Sequence, residues 1–310
     1  MDDGIAAPQT PPIGFDPWPR QDVPLAGWTL SVRTSEPAQP GAEPAVLVHG
    51  LGGSSLNWTD LMGLLRDRLD SRAPDLPGFG YSPPPDDGDY TLAGHARAVI
   101  ALIEQEARGP VHLFGNSLGG AVSTTVASRR PDLVRSLTLI SPALPDLVPG
   151  LARLQVGLTG LPGVGGFLTR QLTRLSPEQR AEGMIRMVYG DPTAVPPERR
   201  REAEEEIARR LALPYAADAL TRSAQSLPHA YLDRGPDALW RLAERIECPV
   251  LVVYGRRDQL VHPRAAYKAT RHFRDCAVVV LPQSGHVAQM EHPDQVAAAW
   301  RDHLGGRSAH

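Results

Sequence analysis

A serine hydroxyl attacks a carbonyl only when a base takes its proton and a third group steadies that base. The sequence offers this set at three remote points. Gly115-Asn116-Ser117-Leu118-Gly119 fits the pattern G-x-S-x-G, in the run LFGNSLGG between a strand-like and a helix-like segment. A serine on a tight strand-to-helix turn stands clear of the sheet. Glycines on either side leave out the Cβ atoms that would collide there. The helix that follows aims free N–H groups and the positive end of its dipole where charge develops on a substrate oxygen. A glycine-rich helix start capped by a serine is the plainer reading of the same letters. The strand before and the helix after weigh against it.

The partners come later in the chain, in the order Asp then His. VYGRRDQLV carries Asp258 just past a strand ending near Gly255, and LPQSGHVAQMEHP carries His286 just past one ending near Leu281. Singly, Asp258 reads as a helix N-cap and His286 as a loop histidine. Together with Ser117 they read as nucleophile, acid and base. A fourth run, LVHGLGG, follows the first buried strand. Its glycines let main-chain N–H groups approach a substrate oxygen, so Leu51 and Leu118 are the expected oxyanion donors. His49, Gly50 and Asn116 are expected to support them, His49 by hydrogen bonding rather than proton transfer. A phosphate loop is a poor reading, because neither G-K-[ST] nor G-x-G-x-x-G occurs. With no H-E-x-x-H and no Cys/His cluster, neither a metal nor a cofactor is expected. His262 and His292 flank the acid and base loops and are expected to act at the surface or behind the site.

These residues meet only if an open parallel sheet gathers the loops at its C-terminal strand ends. The pattern predicts such a sheet. WTLSVRTSE (Trp28 to Glu36) alternates as a half-buried strand, and AVLVH (Ala45 to His49) is a short β-branched run covered on both faces. A helix over about Asn57 to Leu69 leads to a strand at Ser71 to Asp75 and the turn LPGFGYS. Then come a helix over about Thr91 to Ala107, the strand VHLFG, a helix from Ser117 to Arg130, and the strand SLTLIS. Alternation of strand and crossover helix implies helices on both faces. From about Pro145 to Arg245 no strand is expected, only helix-compatible segments. One of these, PPERRREAEEEIARRLAL, reads as a solvated amphipathic helix rather than a docking face. PVLVVYG, a helix near Pro263 to His272, AVVVL and a final helix over about Pro293 to Leu304 resume the rhythm. Residues 1–24 are proline-rich and read as an extended arm. The expected division is therefore an arm (1–24), a core (25–144 and 246–310) and a helical cap or lid (145–245).

The 310 residues suffice for one large domain with an insertion. With 32 basic and 35 acidic side chains and no basic run, nothing draws the chain to nucleic acid. No apolar stretch approaches the roughly 20 residues of a membrane helix, and the acidic N-terminus does not resemble a secretory signal. A cytoplasmic location is the default expectation. Two cysteines, Cys248 and Cys276, are too few for a disulfide framework and read as small buried apolar residues.

HG-x-G, DLPGFGYS, GNSLGG, GRRD and SGH occur here in the order and spacing of the α/β-hydrolase superfamily, which the chain resembles over about Ala26 to Leu304. The resemblance implies an α/β fold with an eight-stranded, mostly parallel sheet and a helical cap over the nucleophile. GNSLGG and SGHVAQMEHP also resemble the carbon–carbon hydrolases of aromatic meta-cleavage products. Those enzymes usually carry G-x-G-P-G after HG and a tryptophan after the histidine, where this chain has GLGGSS and Val287. Some members keep the acid after the strand equivalent to SLTLIS, which makes Asp146 the reserve for Asp258. The expected activity is cleavage of a carboxylic ester with an apolar acyl or alcohol part. Carbon–carbon hydrolysis of a vinylogous keto-acid is the alternative, and a non-catalytic hydrolase-like binding protein the second. The expected partner is a small molecule with an apolar part.

Overall fold

The structure is a computed structural model and describes residues 14–145 and 175–304. Eight strands form one sheet in the order β1-β2-β4-β3-β5-β6-β7-β8. They are β1 (Arg20–Leu25), β2 (Trp28–Thr34), β3 (Glu43–Val48), β4 (Leu69–Pro74), β5 (Val111–Asn116), β6 (Val134–Ile140), β7 (Val250–Gly255) and β8 (Cys276–Leu281). From β4 to β8 all pairings are parallel, whereas β2 runs antiparallel to both β1 and β4. The expected sheet is present, with its strand ends one to two residues from the sequence reading.

Period-two burial explains why the middle strands are apolar throughout. Ala45 and Leu47 of β3 face one core with α1 (Thr59–Leu65) and the C-terminal helix α10 (Pro293–His303), where Leu61, Met62, Leu65, Val296 and Trp300 close over them. Val46 and Val48 face the other, under α2 (Leu92–Glu106) and α3 (Leu118–Arg129). Thr91 caps α2 by accepting from Gly94 N–H at 3.1 Å, and Ala107 ends it in the left-handed region at φ 48°.

Residues 20–24 depart from the expected arm. They form the edge strand β1, joined to β2 through a tight turn at Gly27 (φ 89°). Val23 and Leu25 pack with Trp28, Leu30, Val32 and with Ala98 and Leu102 of α2. Pro24 is tolerated because an edge strand has one side that pairs with nothing. Ahead of it, Phe15 N–H donates to Asp60 Oδ1 at 3.1 Å and Trp18 Nε1 donates to Thr59 O at 2.9 Å, so this stretch lies against α1.

Between β6 and β7 the described chain is helical and holds no strand: α4 (Pro177–Val188), α5 (Pro197–Leu211), α6 (Ala216–Leu232) and α7 (Leu239–Glu244). Ser176 and Gln179 form a capping box at the start of α4. The insertion is fastened to the core through α5 and α6. Arg199 of α5 pairs with Asp60 at 2.6 Å, and His95 of α2 bonds Ser223 of α6 at 3.0 Å. α8 (Ala265–His272) follows β7, and the short α9 (Ala288–Glu291) follows β8. Both cysteines are free, and burial pushes each thiol up to about 12. Among the described residues no helix is long and apolar enough to cross a membrane.

Candidate active site

β5 ends at Asn116 and α3 begins at Leu118, so Ser117 alone makes the turn between them. It takes φ 53° and ψ −117°, a conformation that costs a residue with a β-carbon on the order of 1–3 kcal/mol. Its flanks explain the glycines. A Cβ on Gly115 would lie 2.4 Å from Gly119 O, and one on Gly119 would lie 2.2 Å from Val48 O. The strain is held from both sides: Ser117 N–H donates to Ile140 O at 3.1 Å, and its carbonyl accepts from Ala143 N–H at 2.9 Å.

The loop after β3 lies against this elbow. A Cβ on Gly50 would sit 3.0 Å from Ser117 Cβ. Gly53 N–H bonds Gly50 O at 3.0 Å, closing a turn with Gly52 at φ 71° in its third position. The bond that closes this turn does not use Leu51 N–H. Leu118 N–H, at the first helical position, has no acceptor within α3. His49 is fully buried and held at both ring nitrogens: Nδ1–H donates to Gly50 O at 2.8 Å, and Nε2 accepts from Leu76 N–H at 2.9 Å. Burial, opposed by the nearby Asp75 carboxylate, lowers its pKa, so the ring stays neutral in this bracing role.

Asp258 and His286 meet. His286 Nδ1 bonds Asp258 Oδ2 at 2.9 Å, with the carboxylate side chain wholly buried and the imidazole 5% exposed. The other oxygen of Asp258 accepts from Leu260 N–H at 2.7 Å and Val261 N–H at 2.9 Å. Burial works against ionisation of Asp258, but the His286 ring and these donors outweigh it and hold the carboxyl below its ordinary value. Asn116 ties the elbow to the histidine loop, its Nδ2 donating to His286 O at 3.1 Å and to Ile140 O at 3.0 Å. Among the described residues no hydrogen bond links Ser117 Oγ to the imidazole. Such contacts are often long in unliganded enzymes and tighten with substrate. Asp146 lies outside the described residues.

The sequence profile of the alpha/beta hydrolase fold family matches residues 44–293. The chain belongs to that family. This α/β-hydrolase is 30% identical over 272 residues to a pimeloyl-[acyl-carrier protein] methyl ester esterase of Neisseria meningitidis, covering 84% of this chain and 93% of the relative. It is also 30% identical over 271 residues to the dihydrolipoyllysine-residue acetyltransferase component of an acetoin cleaving system in Cupriavidus necator. There it covers 86% of this chain but spans only 64% of the longer relative. Among solved structures, a 2-hydroxy-6-oxo-6-phenylhexa-2,4-dienoate hydrolase from Rhodococcus shares the fold at a TM-score of 0.74. The identity is 20%, over 93% of this chain and 98% of that one. Relatives named as esterases and hydrolases make this chain a hydrolase enzyme.

Three residues around the site of this α/β-hydrolase escaped the sequence reading. Asp75, fully buried in DLPGFGYS, accepts from Ser55 N–H at 2.6 Å and Tyr81 N–H at 2.8 Å, and so shapes the loop beside His49. A lone Asp between a strand and a Pro-Gly turn was the available signal. Arg210 of α5 turns inward and donates from Nη1 to Gly52 O, on the loop after β3. Its nearest carboxylate, Glu206, is already held twice by Arg209. α5 is thus less solvated than its composition implies, since a guanidinium on a long stem reaches inward while its helix stays at the surface. Glu291 lies behind His286, where it accepts from Gly285 N–H at 2.7 Å. Among the described residues no group of His, Cys, Asp and Glu side chains could hold a metal.

Proposed function

We propose that this protein cleaves a carboxylic ester with an apolar acyl or alcohol part, using Ser117 as nucleophile, His286 as base and Asp258 as orienting acid. The observation that carries this reading is the buried Asp258–His286 pair, bonded at 2.9 Å and tied through Asn116 to a strained serine elbow. With Asp258 on Nδ1, the free Nε2 of His286 is the atom that accepts the proton of Ser117 Oγ as it attacks the ester carbonyl. Leu51 and Leu118 N–H groups receive the oxyanion, each worth about 3 kcal/mol in comparable sites. Collapse expels the alcohol, which leaves with the proton held by His286. Water then adds to the acyl-enzyme, gives its proton to His286, and releases the acid and free Ser117. The helices α4 to α6 serve as the cap under which the apolar part binds.

A second reading has its own observation. Arg210 places a buried guanidinium on the loop after β3; its Nε lies 3.7 Å from Glu206 Oε1, a carboxylate it shares with Arg209, and burial pulls its pKa below the ordinary value. A substrate carboxylate would pair with it. That suits the vinylogous keto-acid of a carbon–carbon hydrolase, which the same triad could open after ketonisation.

One screen tests both. Short-chain p-nitrophenyl esters and a meta-cleavage keto-acid are offered to the native protein and to Ser117→Ala, with fluorophosphonate labelling in parallel. Ester turnover with labelling, both lost by several orders of magnitude in Ser117→Ala, is the expected result. Far faster turnover of the keto-acid selects the second reading. Unaltered turnover in Ser117→Ala removes the serine from the mechanism.

A further inference from the structure

We propose that Glu291 is a positioning residue for His286, a buried carboxylate that locks the histidine loop to the end of α4. The inference rests on the reading of His286 as the base.

Glu291 closes α9, the single turn that follows His286. Its Oε1 accepts from Gly285 N–H and its Oε2 from Gly190 N–H, both at 2.7 Å. Gly285 immediately precedes the histidine. Gly190 lies two residues past the end of α4, in the helical insertion. A third bond crosses the same seam, from His286 N–H to Val188 O at 2.7 Å. The two backbones are nearly in contact. A Cβ on Gly285 would lie 2.4 Å from Gly190 N, and one on Gly190 would lie 2.5 Å from Gln283 O. On the opposite side, a Cβ on Gly255, at the end of β7, would lie 2.0 Å from Gly285 O. The histidine loop is therefore wedged between the strand that leads to Asp258 and the insertion. Glu291 joins the histidine loop to its wall on the insertion side, through Gly285 and Gly190.

The chemistry of the group fits this task. Two N–H donors converge on one side chain, and only an ionised carboxylate accepts fully at both ends. A neutral amide would turn its own N–H₂ toward one of them. Burial makes the charge costly and, with the Asp258 carboxylate, raises the Glu291 pKa; among the described residues no Lys or Arg forms a salt bridge with it. A surface capping role needs no such group. Here the carboxylate fixes the backbone on which the imidazole stands, while Asp258 fixes the ring.

The test compares Glu291→Gln, Glu291→Asp and His286→Ala with the native protein. The substrate is a p-nitrophenyl ester, and competent sites are counted by fluorophosphonate titration. Glu291→Gln should lose about 100-fold in kcat per titrated site, the scale of a 1 Å misplacement, with KM changed less than about threefold. Glu291→Asp is one methylene shorter and keeps a charge that reaches one amide, so it should fall between. A merely structural role would lower the number of titrated sites or the melting temperature and leave kcat per site unchanged. That result in both folded variants overturns the proposal. If Glu291→Gln does not fold, the kcat–KM split in Glu291→Asp decides. His286→Ala separates the two levels: full turnover there defeats the catalytic reading, whereas an inactive His286→Ala beside unimpaired Glu291 variants defeats only the positioning role.

Discussion

Ser117 pays for its exposure with a backbone that its neighbours must hold in place. Gly119 shows how narrow the tolerance is. A Cβ there would press on Val48 O at 2.2 Å and His49 O at 2.4 Å, both main-chain atoms of β3 and its loop. Gly119→Ala therefore has no flexible partner to displace. It should cost about 2–4 kcal/mol in urea unfolding and move the elbow relative to Leu51. Gly183 in α4 is the control, since nothing lies within 4 Å of a Cβ built there. Replacing it with Ala should leave stability unchanged or slightly raised. Asp75, Arg210 and Glu291 belong to the same scale and were not legible as site residues. Each acts through main-chain N–H or C=O groups of remote loops, and a sequence does not reveal which backbone atoms a side chain will reach. Ser117, Asp258 and His286 stand out as candidates because the chemistry expected of them depends on residue type at fixed places after strands.

The elements were readable to the degree that burial is periodic. β3, β5, β6 and β7 are short apolar runs covered on both faces, and their ends matched within a few residues. β1 was missed because only Val23 and Leu25 face inward, and two apolar residues around a proline make no visible period. The junction of α2 with α6 carries a pH dependence of its own. Burial lowers the pKa of His95 to about 3, while an unfolded chain titrates near 6.5. In that window the unfolded state binds a proton that the folded state refuses, so stability falls as the pH falls. The limiting slope is about 1.4 kcal/mol per pH unit below 6.5. Urea titrations at pH 7.5, 6.0 and 5.0 should show this loss, and His95→Gln should remove its share. An equal slope in the variant would mean that the ring titrates freely.

At the scale of the whole molecule, one sheet brings three loops from the ends of β5, β7 and β8 to a single rim. The helical insertion reaches two of the loops at the candidate site. Arg210 contacts the loop after β3, and Val188 with Gly190 contacts the histidine loop. Helices attached in this way cannot shift without moving both loops.

The far margin of the sheet has a different consequence. β1 shields β2 with a short ribbon whose outward groups are Arg20, Asp22 and an N–H-less Pro24, poor company for another ribbon. A chain started at Ala26 would bare the hydrogen-bonding flank of β2 and uncover Trp28, Leu30 and Val32. Such a protein should associate with itself in a concentration-dependent manner that light scattering detects, while the full chain does not. The six residues of β1, at the rim most distant from the serine, would then decide solubility rather than catalysis.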